Sequence, residues 1–152
     1  MYRTFLYFFT LLAITCGCTC GPEPPSPQEN FCQSDFVGVV EIVSTKRPAS
    51  EEDPHPLVYT AKANNPHLIF KAPKNFNISQ NIVFETYSET YMCNVGWLKD
   101  GRTYLLNGRV HENTIFLNRC FQVAANEWYR VPAHIRNALK DGSYARNCPK
   151  KL

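Results

Sequence analysis

Three cysteines on alternating positions, Cys16, Cys18 and Cys20 in the stretch TCGCTCGPEPP, are the densest group of reactive side chains in the chain. Thiolates spaced this way can converge on one soft ion such as zinc or copper, or they can oxidise to disulfides that pin a chain segment. A closed metal centre needs four ligands, and the sequence offers no second Cys or His cluster to complete the set. The histidines, His55, His67, His111 and His134, stand far apart. They form no HExxH pair, and the chain has neither a GxSxG turn nor a cysteine–histidine motif. No enzyme is indicated, and no cofactor of the protein's own is expected.

The segment ahead of the cysteines bears on their redox state. After Arg3, the apolar run from Phe5 to Ile14 is too short to cross a bilayer comfortably and reads as the core of a secretory signal peptide. Signal peptidase selects small residues one and three positions before the cut, so residues 1–17 form a leader ending in Thr15, Cys16 and Gly17. Cys18 then becomes the first residue. A cut after Thr15 is the competing choice, with Ala13 in the outer position. Removing Cys16 turns seven cysteines into six, Cys18, Cys20, Cys32, Cys93, Cys120 and Cys148, which suits three disulfides in an extracellular compartment. Their spacing alone leaves the pairing open.

The 135 residues from Cys18 to Leu152 are enough for one domain with one core. The formal charge of +3 falls by one with the loss of Arg3, and the remaining cations alternate with acids except at the 149–152 tail, a short basic end. Nothing in this pattern calls for nucleic acid or insertion into a membrane, and a monomer is expected.

Several elements must position the cysteines. The proline-rich stretch 21–30, GPEPPSPQEN, is expected to run extended rather than helical. Val and Ile dominate residues 35–47, a strand long enough to bend near Gly38. A proline-punctuated acidic loop follows over 48–56. Further strands are expected over 57–63, 67–72 and 81–93, and two more over 102–120 with turns at Asn107-Gly108 and Glu112-Asn113. Only residues 132–142 have helix grammar, with Pro132 at the start, Ile135, Ala138 and Leu139 on one face, and Gly142 at the stop. The set predicts a mainly β fold, an OB-like five-stranded Greek-key barrel with a C-terminal helix.

The order of the cysteines, with CTC at the start of the mature chain, FCQSDFV around Cys32, YLLNG at 104–108 and RCFQVAANEW around Cys120, resembles the inhibitory domain of the tissue inhibitors of metalloproteinases. That domain is a netrin-like module built on an OB-type barrel, and the likeness spans residues 18–148. It implies bridges from Cys18 to Cys93, Cys20 to Cys120 and Cys32 to Cys148. It also implies a function: a secreted inhibitor, acting in the extracellular space or matrix, of secreted or membrane-bound zinc metalloproteinases of the matrix metalloproteinase class.

The chemistry behind that implication is specific. A catalytic zinc keeps an exchangeable position beside its protein ligands. A free α-amine with its own carbonyl oxygen closes a five-membered chelate there, which only a first residue can supply. With an α-amine pKa of about 7.7 to 8, shedding the proton costs about 1 kcal/mol near neutral pH. By resemblance, Cys18 is the ligand of the target's zinc and Thr19 enters its specificity pocket. Cys20, Gly21, Tyr91 and Met92 then complete the contact surface. The alternative reading is a non-inhibitory netrin-like matrix-binding module in which CTC is only a staple.

Gly21 replaces a larger residue usual in vertebrate members, and Tyr91 and Met92 are bulkier than the small residues common before the equivalent cysteine. The second, C-terminal disulfide domain of those members has no counterpart here, so functions housed there are expected to be missing. Asn77-Ile78-Ser79 is an N-glycosylation sequon.

Overall fold

The computed structural model describes residues 17–50, 55–124 and 126–149. The expected signal peptide lies outside them except for Gly17, and the basic tail except for Pro149.

Strand β1 (Phe36–Lys46) is the member that closes the sheet. Its first half pairs antiparallel with β5 (Thr103–His111), and its second half pairs antiparallel with β2 (Leu57–Lys62). From β2 the order continues through β4 (Ile82–Thr86) and β6 (Thr114–Phe116) and returns to β5, closing a five-stranded barrel. The β4–β6 pairing is parallel and all others are antiparallel. A short sixth strand, β3 (Ile69–Lys71), lies against β1 outside this ring. The expected OB-like barrel is therefore present with one added strand. Register irregularities in β1 fall between Val37 and Gly38 against β3 and between Ile42 and Ser44 against β2.

β1 lacks clean alternation because both of its faces are buried. Phe36, Val40 and Ile42 point into the barrel with Tyr59, Phe84 and Leu106. Val37 and Val39 point outward and are covered by Phe31 of α1 (Pro27–Gln33) and by Ile135 and Leu139 of α2 (Ala133–Lys140). The α2 helix fills the predicted 132–142 segment. A further turn of helix, α3 (Ser143–Arg146), follows after Gly142, which is left-handed at φ 74°.

Three local expectations are corrected. The 21–30 stretch is not extended throughout, because α1 begins at Pro27. Proline is harmless in a helix's first turn, where its missing N–H has no partner to lose. Ser26 and Glu29 also form a capping box: Ser26 N donates to Glu29 Oε2 at 2.7 Å, and Glu29 N donates to Ser26 Oγ at 3.2 Å. At the other end of α1, which has no basic residue in its last turn, Lys71 Nζ of β3 donates to the carbonyls of Phe31 and Cys32 at 3.1 and 3.0 Å.

The second correction concerns Asn107-Gly108, which is no turn but the middle of β5. Gly108 is there because a Cβ would collide with the Phe116 carbonyl of β6. The chain reverses only at Glu112-Asn113, where Glu112 is left-handed at φ 55°. The third concerns the strand expected over 81–93. It stops at Thr86, and Thr90–Met92 form a 3-10 turn that ends on Cys93 in the left-handed region.

Candidate functional site

The fold gathers the cysteines through strand direction. Because β4 and β6 run parallel, both finish at the same end of the barrel, with Glu85 beside Phe116. The segment after β4 carries Cys93, and the segment after β6 carries Cys120. β1 begins at this end too, since Phe36 faces Gly108 and the neighbouring Arg109 faces Phe116. The chain ahead of α1 therefore arrives where Cys93 and Cys120 already lie.

Disulfides join Cys18 to Cys93 and Cys20 to Cys120, with Cα separations of 4.9 and 5.2 Å. Cys32 of α1 is joined to Cys148, just beyond α3, at 5.4 Å. The first two bridges touch: Cys18 Sγ lies 3.8 Å from Cys120 Sγ and 4.0 Å from Cys20 Sγ. They hold residues 18–20 as a ridge on the barrel end.

Hydrogen bonds fix the surfaces to which the ridge is stapled. Arg119 N donates to the Cys93 carbonyl at 2.8 Å, tying the two cysteine-bearing segments together. On the Cys93 side, Val95 N donates to the buried Thr86 Oγ1 at 3.0 Å, and Tyr59 Oη donates to the Val95 carbonyl at 2.7 Å. On the Cys120 side, Asn107 is the hub. Its Nδ2 donates to Phe121 O at 2.7 Å and to Ser34 Oγ at 2.8 Å, while its Oδ1 accepts from Val123 N at 2.7 Å. Gln122 Nε2 completes the knot by donating to Asn107 O and Asn118 O. Buried amides with this many satisfied bonds specify one conformation for the loop that bears Cys120.

What the ridge presents to solvent is mostly apolar or small. Thr19 and Gly21 are exposed, and Gly21 takes a left-handed φ of 82° with open space where a Cβ would stand. Tyr91 is 61% exposed and Met92 38%, next to the Cys93 bridge. Two large apolar side chains thus stand exposed on a firmly anchored surface beside this bridge. The site residues anticipated from the sequence, Cys18, Thr19, Cys20, Gly21, Tyr91 and Met92, thus lie together around two bridges.

Phe121, 49% exposed beside the Cys20–Cys120 bridge, also belongs to this end of the molecule and was not anticipated. Its signal was available, since an aromatic residue directly after a bridging cysteine shares that cysteine's placement. Asn107 was read as part of a turn, so its anchoring role was hidden. All four histidines are exposed, on the 48–56 loop, a 3-10 turn, the end of β5 and α2, and they form no common site. Asn77 is exposed, and its Oδ1 accepts from Ser79 N at 3.0 Å. No helix among the described residues is long and apolar enough to cross a membrane.

The comparisons with known proteins agree with this architecture. Metalloproteinase inhibitor 3 of Xenopus laevis is similar to the chain, 29% identical over 138 residues, which cover 90% of this chain and 58% of that relative. The chain thus spans less than two thirds of that relative's length. A family model described as tissue inhibitor of metalloproteinase matches residues 16–152. The chain therefore belongs to the tissue inhibitor of metalloproteinase family, a family of protease inhibitors rather than enzymes.

Proposed function

We propose that residues 18–148 form a secreted, monomeric inhibitor of zinc metalloproteinases, in which Cys18 ligates the target's zinc through its α-amine and carbonyl oxygen. The observation that carries this reading is the ridge itself: Cys18 and Cys20 are clamped to the barrel end while Thr19 between them stands exposed. A chelating chain end must be rigid, or the entropy of ordering it would consume the binding energy. Two bridges meet that need before any protease arrives. In the chain that retains Gly17, the Cys18 nitrogen is an amide and has no lone pair to give. Cleavage between Gly17 and Cys18 is thus the activating step, and the zinc belongs to the protease.

Thr19 enters the pocket that receives the substrate residue just after the scissile bond, and Tyr91 and Met92 of the neighbouring turn rest on the adjacent protease surface. Asn77, exposed and remote in sequence from the ridge, accepts a glycan without blocking it.

The deciding experiment compares the native secreted chain with one carrying a single Ala before Cys18. Native protein is expected to start at Cys18 by mass spectrometry and to inhibit a matrix metalloproteinase, and the extended protein to lose inhibition with its disulfides and circular dichroism unchanged. Equal inhibition constants would refute the chelate. A secreted start at Cys16 would do the same, and the non-inhibitory matrix-binding reading would take its place.

A further inference from the structure

The four sulfurs of the ridge have a second capacity. All of Cys18, Cys20, Cys93 and Cys120 Sγ lie within 4.8 Å of one another. A tetrahedral zinc thiolate has Zn–S bonds of about 2.3 Å, which sets its sulfurs about 3.8 Å apart. Two of the six edges, Cys18–Cys120 at 3.8 Å and Cys18–Cys20 at 4.0 Å, already match that length, and the two bonded pairs would part to reach it once reduced. The lack of a second cluster in the sequence is made good by the fold, which brings Cys93 and Cys120 to the Cys18–Cys20 pair.

We propose that in its thiol form the chain holds one soft divalent ion, zinc foremost, on Cys18, Cys20, Cys93 and Cys120, and that oxidation to the two bridges releases it. On binding, four thiol protons pass to solvent and four sulfur–metal bonds form. On release, two molecules of a disulfide oxidant accept four electrons from the four thiolates. Two cystines form, the oxidant leaves as four thiols once it has taken up protons, and the ion departs.

The ligands are gathered by more than their own bonds. Cys93 and Cys120 sit on segments joined by the Arg119 N to Cys93 O hydrogen bond, and Cys120 N is capped by Asn118 Oδ1 at 2.9 Å. Cys18 and Cys20 arrive as one unit on alternate residues. The remaining pair, Cys32 of α1 and Cys148 just beyond α3, takes no part. A zinc-held thiol form would keep the ridge docked before its disulfides exist. This inference stands independently of protease inhibition.

The test uses the full chain, reduced anaerobically with a phosphine and titrated with cobalt(II), then zinc. Cobalt should give the intense visible bands of a tetrahedral thiolate site, saturate at one ion per chain, and be displaced by zinc. With zinc bound, N-ethylmaleimide should spare Cys18, Cys20, Cys93 and Cys120 and modify Cys32 and Cys148, together with Cys16 where it is retained. Cys120→Ser should weaken zinc binding at least about tenfold, while Cys148→Ser should leave it within about twofold. Oxidised glutathione should then liberate the zinc as two disulfides form. Protection spread over Cys32 and Cys148 would mark chelation by an unfolded chain and overturn the proposal, as would an octahedral cobalt spectrum. The footprint on the unsubstituted chain decides the matter even if Cys120→Ser fails to fold.

Discussion

Thr19 and Asn107 show how differently two residues of one site can matter. Thr19 is exposed and its hydroxyl makes only a 3.4 Å contact with the Gly17 carbonyl, so its side chain contributes little to the free protein. Thr19→Gly is expected to leave the melting temperature unchanged and to weaken inhibition by about 1 to 3 kcal/mol, the value of a small side chain buried at an interface. Thr19→Leu should shift preference toward proteases with deep pockets. Inhibition constants across a metalloproteinase panel check both, and identical selectivity for all three proteins would take Thr19 out of the pocket. Asn107 is the reverse case, 1% exposed with its side chain hydrogen-bonded inside the protein. Asn107→Ala strips partners from the part-buried Phe121 carbonyl and the buried Val123 N–H, which should cost about 1 to 3 kcal/mol in urea denaturation. It should also loosen the Cys120 loop, read as faster amide exchange over 118–123.

At the scale of elements, α1 is the connection between the ridge and the barrel, and its start depends on one short motif. Ser26→Ala should cost about 1 kcal/mol of stability by removing the side-chain half of the capping box, the Ser26 hydroxyl that accepts from Glu29 N, while the backbone N–H at 26 still donates to Glu29. Glu29 is held below the ordinary glutamate range by the Ser26 backbone N–H and then by the Ser26 hydroxyl. The cap's contribution is therefore full above the ordinary glutamate pKa and is lost as pH falls through the lowered one. A pH series of melting temperatures for wild type and Glu29→Gln should converge at the acid end.

The same helix marks the limit of what could be read beforehand. Strand-forming runs such as 57–63 were plain, because β-branched and aromatic residues recur between turn formers. The proline count hid α1, since four prolines over 21–30 outweighed the Ser26-Pro27 start that makes the last of them favourable. Asn-Gly at 107–108 mimicked a hairpin turn, yet its glycine answers to the Phe116 carbonyl across the β5–β6 pair, whose turn lies further on at Glu112-Asn113. The placement of Tyr91 and Met92 beside the Cys18–Cys93 bridge was legible from their position before Cys93. Their 3-10 turn was not, because it depends on a crossover past β6.

For the whole molecule, stability depends on a core that encloses the hydroxyl of Tyr59. Tyr59 is fully buried, and burial pushes its phenol up to about 12. A raised pKa leaves its contribution intact below about pH 10 and removes it as pH climbs toward 12, since only the unfolded chain ionises freely there. Denaturation at about pH 9 and about pH 11 should show a loss of about 1 kcal/mol. Tyr59→Phe should flatten that loss while costing about 1 kcal/mol at neutral pH for the orphaned Val95 carbonyl. The bridges have a consequence in time as well as in energy. They span 75, 100 and 116 residues, and in each the partner made first lies near the chain's beginning. At about 5 to 20 residues per second of synthesis, Cys20 waits about 5 to 20 s for Cys120 to be made. The 18–20 ridge is thus among the first parts synthesised and among the last fully secured, and a ribosome that stalls between Cys93 and Cys120 leaves it tethered by the Cys18–Cys93 bridge alone.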